Sequence, residues 1–549
     1  MKRPISFLLA VLTAAAFFAA AAVPALAENA PFVDVAKDRW SRGAIEYVFS
    51  RGIMRGVGGG RFDPVGTTTR AMVVTVLWRA EGEPEPAAPS GFSDVPANAW
   101  FADAVAWAKS KGVVNGVSET AFDPNGNITR EQLAAILFRF CDAKNLFVDE
   151  PGDLSGFADR GKISSYAQEA VGWAVGAGLI GGVAKDRLEP RGFATREQVA
   201  TVLMRFDTTE FTPLADFYRP YVDRIADYSE EMLRGETARL GADPTSTLAD
   251  LHVWGNGLIL MGLAELGRYE AVEEYADTCL DHHDRNGAVS ADAGLAGFAM
   301  LEMYERTGEE KYLTLAREAL AGILERPTDA YGEIKYDRND NTDVYVDGTG
   351  MVTPLLARWG AEFGDADVRD TAVLQVSNFL KMGVNPKYRY AYHGYNRGGV
   401  FQGEMGWGRG TGYLMLAIGS VMRYCGDEEI NAKCEEFVEY TFRRLKPDNK
   451  FGWTLSDPDA DSDTSATGKI MWGVMMAKQA GLCSCVSDRT VKAIAKAGLT
   501  DVYDGMVKGS SGGSGGFGSY SDLHDENTSY GQGAMLCFYA LFLRYLENG

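Results

Sequence analysis

The chain has 549 residues, of which 46% are hydrophobic, and a formal net charge of −21. That length suits three or four domains with sizeable cores. So acidic a chain excludes nucleic acid and anionic lipid as general partners, and any acidic sugar must be held by local arginines. The chain opens with Met1-Lys2-Arg3, an apolar stretch from Phe7 to Val23, and Ala25-Leu26-Ala27. A basic start, an apolar middle and a small-x-small end predict a secretory signal peptide over residues 1–27. No later stretch is apolar enough to span a bilayer, so no transmembrane segment is expected after cleavage. The seven cysteines are odd in number and most lie in apolar helical runs. A disulfide scaffold is therefore not expected, and Cys483-Ser-Cys485 reads as ordinary thiols. No zinc, calcium-loop or P-loop pattern occurs, so no metal or cofactor is expected.

Residues 28–206 repeat themselves, with units over 28–86, 87–150 and 151–206. Phe32-Val-Asp34 is echoed by Phe92-Ser-Asp94 and Phe157-Ala-Asp159. A short amphipathic helix follows each, then a glycine-bounded turn such as Gly112-Val-Val-Asn-Gly116. Phe62-Asp-Pro64, Phe122-Asp-Pro124 and Leu188-Glu-Pro190 come next. Each unit ends in a second helix opened by Thr69-Arg70, Thr129-Arg130 or Thr195-Arg196. In Thr129-Arg-Glu-Gln132 and Thr195-Arg-Glu-Gln198 the Thr is an N-cap and the Gln completes a capping box, which Met72 denies the first unit. Capping does not explain the recurring arginine, because a cation in the first turn opposes the helix dipole. Its threefold recurrence points to a ligand contact.

These three units resemble S-layer homology repeats, whose marker is a Thr-Arg turn after Gly-x-x-x-Gly and Phe-x-Pro. The first departs from the pattern with Ala71-Met72, and the third with Leu188-Glu189. The resemblance implies a three-lobed helical prism that binds anionic secondary cell-wall polysaccharide in grooves between lobes. By residue match Arg70, Arg130 and Arg196 would meet the acidic sugar. It also implies a secreted protein attached to the bacterial cell wall or S-layer.

Residues 207–549 show helical periodicity in twelve segments, from 215–238 to 531–547. Charged-faced segments such as 269–283 alternate with segments apolar all round, such as 407–424 and 464–481, as outer and inner helices would. Six of each make an all-α (α/α)6 toroid. Parallel inner helices would bring their N-termini to one face. The unusual motifs lie there: Trp254-Gly-Asn-Gly257, Asp292-Ala-Gly294, Asp347-Gly-Thr-Gly350, Trp407-Gly-Arg409-Gly, Asp463-Thr-Ser-Ala-Thr467 and Tyr530-Gly-Gln-Gly533. Capping and close packing explain Asp463 to Thr467 well. They explain Trp254, Arg409 and the loop histidine His393 poorly. Asp347 and Asp292 could each be a cap or a functional acid. His252, His282 and His283 read as structural or exposed, and the Gly/Ser-rich stretch 509–529 with His524 as a possible lid.

Taken in order, these motifs resemble the unsaturated glucuronyl and rhamnogalacturonyl hydrolases, glycoside hydrolase families 88 and 105. The family's Trp-x-Arg-Gly-Asn-Gly-Trp appears as Trp407-Gly-Arg409-Gly-Thr-Gly412-Tyr413. Its His-Gly-Trp/Tyr appears as His393-Gly-Tyr395, and its Asp-Gly with following Met as Asp347-Gly-Thr-Gly-Met351. Thr411, Tyr413 and Asn396 depart from the usual Asn, Trp and Asp, and the histidine before Asp292 is missing. The resemblance implies removal of a 4,5-unsaturated uronic acid from lyase-generated oligosaccharides by hydration of its vinyl ether. Asp347 would be the general acid/base, which calls for a raised pKa, and Asp292 the second acid. His393 and Arg409 would bind hydroxyls and the uronate carboxylate. Trp254, Trp407 and Tyr413 would stack on sugar faces. Two alternatives stay open: another glycan-active enzyme on the same toroid (an endo-glycanase or epimerase), and a non-catalytic surface glycan-binding protein.

Overall fold

A computed structural model describes residues 32–148, 151–243, 245–246, 252, 254–282, 291–336, 344–396, 400–511, 523–524 and 528–548. The signal peptide, His283, most of the 509–529 stretch and the side chains of Trp254 and His524 lie outside the described residues. The chain divides into two compact units, up to Phe217 and from Tyr218.

Among its described residues the first unit holds six α-helices, two per repeat: α1 (Arg42–Ser50), α2 (Arg70–Ala80), α3 (Ala102–Ser110), α4 (Arg130–Ala143), α5 (Gln168–Gly176) and α6 (Arg196–Thr208). Within each repeat one aspartate clips the later loop. Asp34 accepts the amides of Phe62 and Asp63, Asp94 those of Phe122 and Asp123, and Asp159 those of Leu188 and Glu189, all at 2.7–2.9 Å. Between repeats the Thr-Arg turn is the tie. Arg70 donates from Nε to the Phe122 carbonyl at 2.9 Å and from a terminal nitrogen to Asn115. Arg130 reaches the carbonyls of Leu188 and Gly181 in the third repeat, and Arg196 those of Phe62 and Arg55 in the first. First to second, second to third and third to first, the ties close a ring. Three of these bonds, to the carbonyls of Phe122, Leu188 and Phe62, are buried, and they give the recurring arginine a structural account that outweighs the dipole term. Glu131 and Glu197 add a second tie by accepting from Ser164 and Ser41. Ala71 holds the matching place in the first repeat, which therefore lacks that tie.

The second unit contains twelve α-helices among its described residues: α7 (Leu214–Ala242), α8 (Trp254–Leu266), α9 (Tyr269–Asp281), α10 (Ala293–Thr307), α11 (Glu310–Leu324), α12 (Val346–Glu362), α13 (Ala366–Met382), α14 (Gly408–Tyr424), α15 (Glu428–Phe442), α16 (Thr464–Gln479), α17 (Asp488–Gly498) and α18 (Ser529–Asn548). The even-numbered helices pack side by side in a ring, α8-α10-α12-α14-α16-α18 and back to α8. Outside the ring, α9 packs on α8, α11 on α10, α13 on α12, α15 on α14 and α17 on α18. Burial agrees: every residue of α14 from Gly408 to Met422 is buried, whereas α9 buries one stripe, Ala271, Val272, Tyr275, Ala276 and Cys279. One glycine near the start of each inner helix abuts the start of the next. A Cβ on Gly257, Gly294, Gly350, Gly412, Gly468 or Gly533 would come within 3.0 Å of the neighbouring inner helix. Contacts at matching depth all round the ring mean that the inner helices run parallel, with their N-termini on one face.

A small antiparallel sheet, β1 (Val344–Tyr345), β2 (Tyr392–Tyr395) and β3 (Phe401–Met405), lies at the mouth of α12 and α14. Tyr345 pairs with Gly394, and the β2–β3 register shifts between Tyr392 and Gly394. That irregularity falls on His393, and such bulges re-aim side chains.

Candidate active site

The pairing of β1 with β2 brings the start of α12 against His393. The His393 Nε2 lies 3.1 Å from the Asp347 Oδ2. Asp347 sits in the first turn of α12, and its Oδ2 accepts no aligned hydrogen bond among the described residues. About a fifth of the side chain is exposed (18%), against 4% for His393. A carboxylate that is partly solvated, unused by the backbone and beside an imidazole is not acting as a helix cap. Asp463 shows the contrast: it is fully buried and accepts from the amides of Ser465 and Ala466 at the start of α16.

Asp292 stands at the N-cap position of α10 without a capping bond from its side chain. The Tyr336 hydroxyl donates to its Oδ1 at 3.4 Å. Burial raises the phenols of Tyr336 and Tyr413, and the charges of both Asp292 and Asp347 add to it. Two tyrosines that feel both carboxylates place the two acids in one site. Neither tyrosine ionises there, so both remain hydroxyl donors at neutral pH.

The Trp407-Gly-Arg409 turn supplies the cation. Arg409 is 2% exposed and lies over the rings of Trp407 and Tyr530, each 4.9 Å from the guanidinium carbon. The opposite partner of Trp407 is His393, with ring centroids 4.4 Å apart. Trp407 and Tyr413 were expected to stack on sugar faces, but they are 3% and 1% exposed. Their faces are taken by protein groups, so they support the polar side chains instead. Trp254 opens α8, within the same ring of N-termini.

Sequence reasoning passed over Tyr336 and Lys469, and gave Tyr345 and Tyr530 no role of their own. Tyr345 meets His393 edge-on at 5.5 Å. Lys469 lies wholly buried in α16, with its Nζ 4.9 Å from the Tyr413 ring centroid and 3.3 Å from the Ser465 carbonyl oxygen. Its stem packs where Gly412 leaves room. Burial first, then the Arg409 charge, brings its ammonium down to about 7, against the pull of Asp463 and Asp347. The signal was visible in the sequence: Lys469 is the one charged residue between Thr464 and Ala477. Of the other histidines, His252 bonds the Tyr275 hydroxyl at 2.6 Å and His282 lies 3.2 Å from Ser246, which are structural places.

The first unit carries a separate cleft of about 380 Å³, lined by Arg70, Asn115, Gln132, Arg139 and Tyr166 among others. Arg70 thus borders it while tied to the Phe122 carbonyl. Arg130 and Arg196 occupy equivalent ties and are likewise buried. Among the described residues no helix is long and apolar enough to cross a membrane.

Residues 228–546 match the family model described as Glycosyl Hydrolase Family 88. Residues 31–71, 91–134 and 156–200 match the S-layer homology domain. The surface-layer 125 kDa protein of Lysinibacillus sphaericus is 34% identical over 36% of this chain and 18% of its own length. The exoglucanase XynX of Acetivibrio thermocellus is 30% identical over 32% of this chain and 16% of its own. The chain therefore spans less than a fifth of the length of these relatives. A solved structure from Klebsiella pneumoniae, described as a possible member of the GH105 family, is similar with a TM-score of 0.50 and 15% identity, covering 60% of this chain and 94% of that one. That likeness shows the fold.

Proposed function

Because the chain belongs to glycosyl hydrolase family 88, we propose that its toroid removes a 4,5-unsaturated uronic acid from the non-reducing end of lyase-generated oligosaccharides. It is a glycoside hydrolase, and its S-layer homology repeats attach it to the cell surface. The observation that carries the finer reading is the Asp347 carboxylate, whose Oδ2 lies beside His393 and accepts no aligned hydrogen bond among the described residues.

In this reading Asp347, protonated, gives its proton to C4 of the vinyl ether. Positive charge develops at C5 and on the ring oxygen. The carboxylate then takes a proton from water as the water oxygen bonds to C5. The hemiketal that results opens and releases the next sugar with its hydroxyl. His393 fixes the orientation of Asp347. Asp292, accepting from Tyr336, holds ring hydroxyls. Arg409, braced between Trp407 and Tyr530, takes the uronate carboxylate, where a guanidinium offers paired donors. Trp254, the first residue of α8, is assigned to substrate binding from its sequence motif. In the repeats, the cleft beside Arg70 and Arg139 takes the anionic wall polymer, and Arg130 and Arg196 meet it at the corresponding turns of the other repeats.

Asp347→Asn tests the reading. The amide keeps the size of the side chain and removes the transferable proton. Turnover of an unsaturated-uronyl disaccharide should fall by at least the roughly 10²–10⁴-fold typical of a general acid/base, with an unchanged thermal melt. A folded variant with near-normal turnover removes Asp347 from the chemistry.

A further inference from the structure

The turn between α16 and α17 lies far along α16 from its N-terminus and takes no part in the site described above. It reads Gly481-Leu-Cys483-Ser-Cys485-Val-Ser487. The Val486 amide donates to the Cys483 carbonyl at 3.2 Å, so Cys483 and Cys485 are the first and third residues of one tight turn. Cys483 adopts a left-handed φ of 64°, unusual for a residue with a side chain. Its amide donates to the Glu435 Oε1 of α15 at 2.9 Å. On the far side Lys478 and Asp488 pair at 3.0 Å across the turn, and the Ser487 side chain caps α17. The turn is thus held from three sides. Cys483 is buried and Cys485 is exposed.

From this arrangement we propose that Cys483 and Cys485 form a thiol–disulfide exchange site, with Cys485 as the attacking sulfur, Cys483 as the resolving one, and a small-molecule disulfide as the partner. The hydrogen bond from Cys483 comes first among the causes that hold the Cys485 thiol down to about 7, against burial and the nearby acids Glu435 and Glu439. The same bond, and then burial, push Cys483 up, so it keeps its proton until it is needed. Lys478, paired with Asp488, is the cation whose charge reaches Cys483. A lowered, accessible thiol beside a protonated one is the arrangement that exchange chemistry requires.

The Cys485 thiolate attacks one sulfur of the small disulfide. A bond forms to Cys485 Sγ as the S–S bond breaks, and one thiolate leaves. The Cys483 thiol then gives its proton to water and attacks the Cys485 Sγ. The Cys483–Cys485 bond forms and the second thiolate leaves. The protein pair loses two electrons, and the small disulfide is reduced to two thiols. Two cysteines two residues apart in a turn lie within the reach that a disulfide tolerates.

The test uses the full chain, native and reduced, with the aromatic disulfide 5,5′-dithiobis(2-nitrobenzoate). Wild type should release two thionitrobenzoates per chain, retain no aryl adduct, lose two hydrogens in mass, and yield a peptide bridged between Cys483 and Cys485. Cys483→Ser should release one and keep the adduct on Cys485. Cys485→Ser gives the background of Cys425, which is partly buried, and of the five buried thiols, Cys141, Cys279, Cys434, Cys483 and Cys537. A wild type that keeps the adduct on Cys485 overturns the resolving role of Cys483. A wild type no more reactive than Cys485→Ser overturns the site.

Discussion

Lys469 stands where the inside of a helix ring ordinarily holds an apolar side chain. It is wholly buried, and the groups that face it are Arg409 and Tyr413 from α14, Asp463 at the start of α16, Asp347 from α12 and Cys537 from α18. Its ammonium is brought down to about 7 from an ordinary 10.5. The unfolded chain therefore holds a proton on this lysine between about pH 7 and 10.5 that the folded chain has released. The state that binds more protons is favoured as pH falls, so this group's contribution to stability is greatest above the unfolded value and is lost as pH drops to about 7. Lys469→Met removes the titration and keeps the volume. At pH 7 the variant should be the more stable, with the gap closing by about 1.4 kcal/mol for each unit of rising pH. Urea denaturation of both proteins at pH 7 and 9.5 measures this, and a gap that does not change with pH would mean that Lys469 keeps its charge when buried. At this scale the sequence was partly legible. Asp347 stood out because an acid followed by glycines at the front of an apolar run has little local purpose. Its partner His393 lay some fifty residues away, and only the pairing of Tyr345 with Gly394 joins them.

The helices of the toroid were readable because burial on one side or all round writes a period into the sequence. The sheet was not: β1 is two residues long, and the β2–β3 register is interrupted at His393, so no alternation could build up. The inner-helix glycines were legible as small residues suited to close packing, but their common depth appears only when the ring is closed. Two substitutions separate the uses of helical glycine. Gly350 abuts the backbone of Tyr413, so Gly350→Ala forces α12 and α14 apart at the depth of the site. A loss of about 1–3 kcal/mol is expected, as for other overpacked contacts. Gly235, exposed on α7, would meet nothing with an added Cβ. Gly235→Ala should gain about 0.5–1 kcal/mol from reduced backbone entropy in the unfolded chain. Thermal melts of the pair should therefore move in opposite directions. Two downward shifts would mean that the glycines act through something other than the space between inner helices.

The whole molecule joins two units with separate cores, and their stabilities rest on different interactions. In the repeats, one hydrophobic core runs through all three units, from Phe32 to Phe206. Its closure depends on three buried arginines that each cross to the next repeat. The Thr-Arg turn was legible as a marker of the repeat, but the use of the arginine was not, because its acceptors lie 45 to 141 residues away. Arg130→Ala leaves the buried carbonyl of Leu188 and the part-buried carbonyl of Gly181 without their donor. A buried acceptor left unpaired costs about 1–3 kcal/mol, so a loss of that order is expected from the repeats. The toroid draws on none of these bonds. Calorimetry of wild type should resolve two transitions, and Arg130→Ala should lower one of them while the other stays within a degree or so. Glycosidase turnover should be unchanged below the lowered transition. Should both transitions fall together, the two units share their stability and the division at residue 217 is not a thermodynamic one. The same variant constrains any assay of wall binding: a release from cell-wall sacculi seen only above the lowered transition reports loss of the prism, whereas a release seen well below it reports loss of a contact to the polymer.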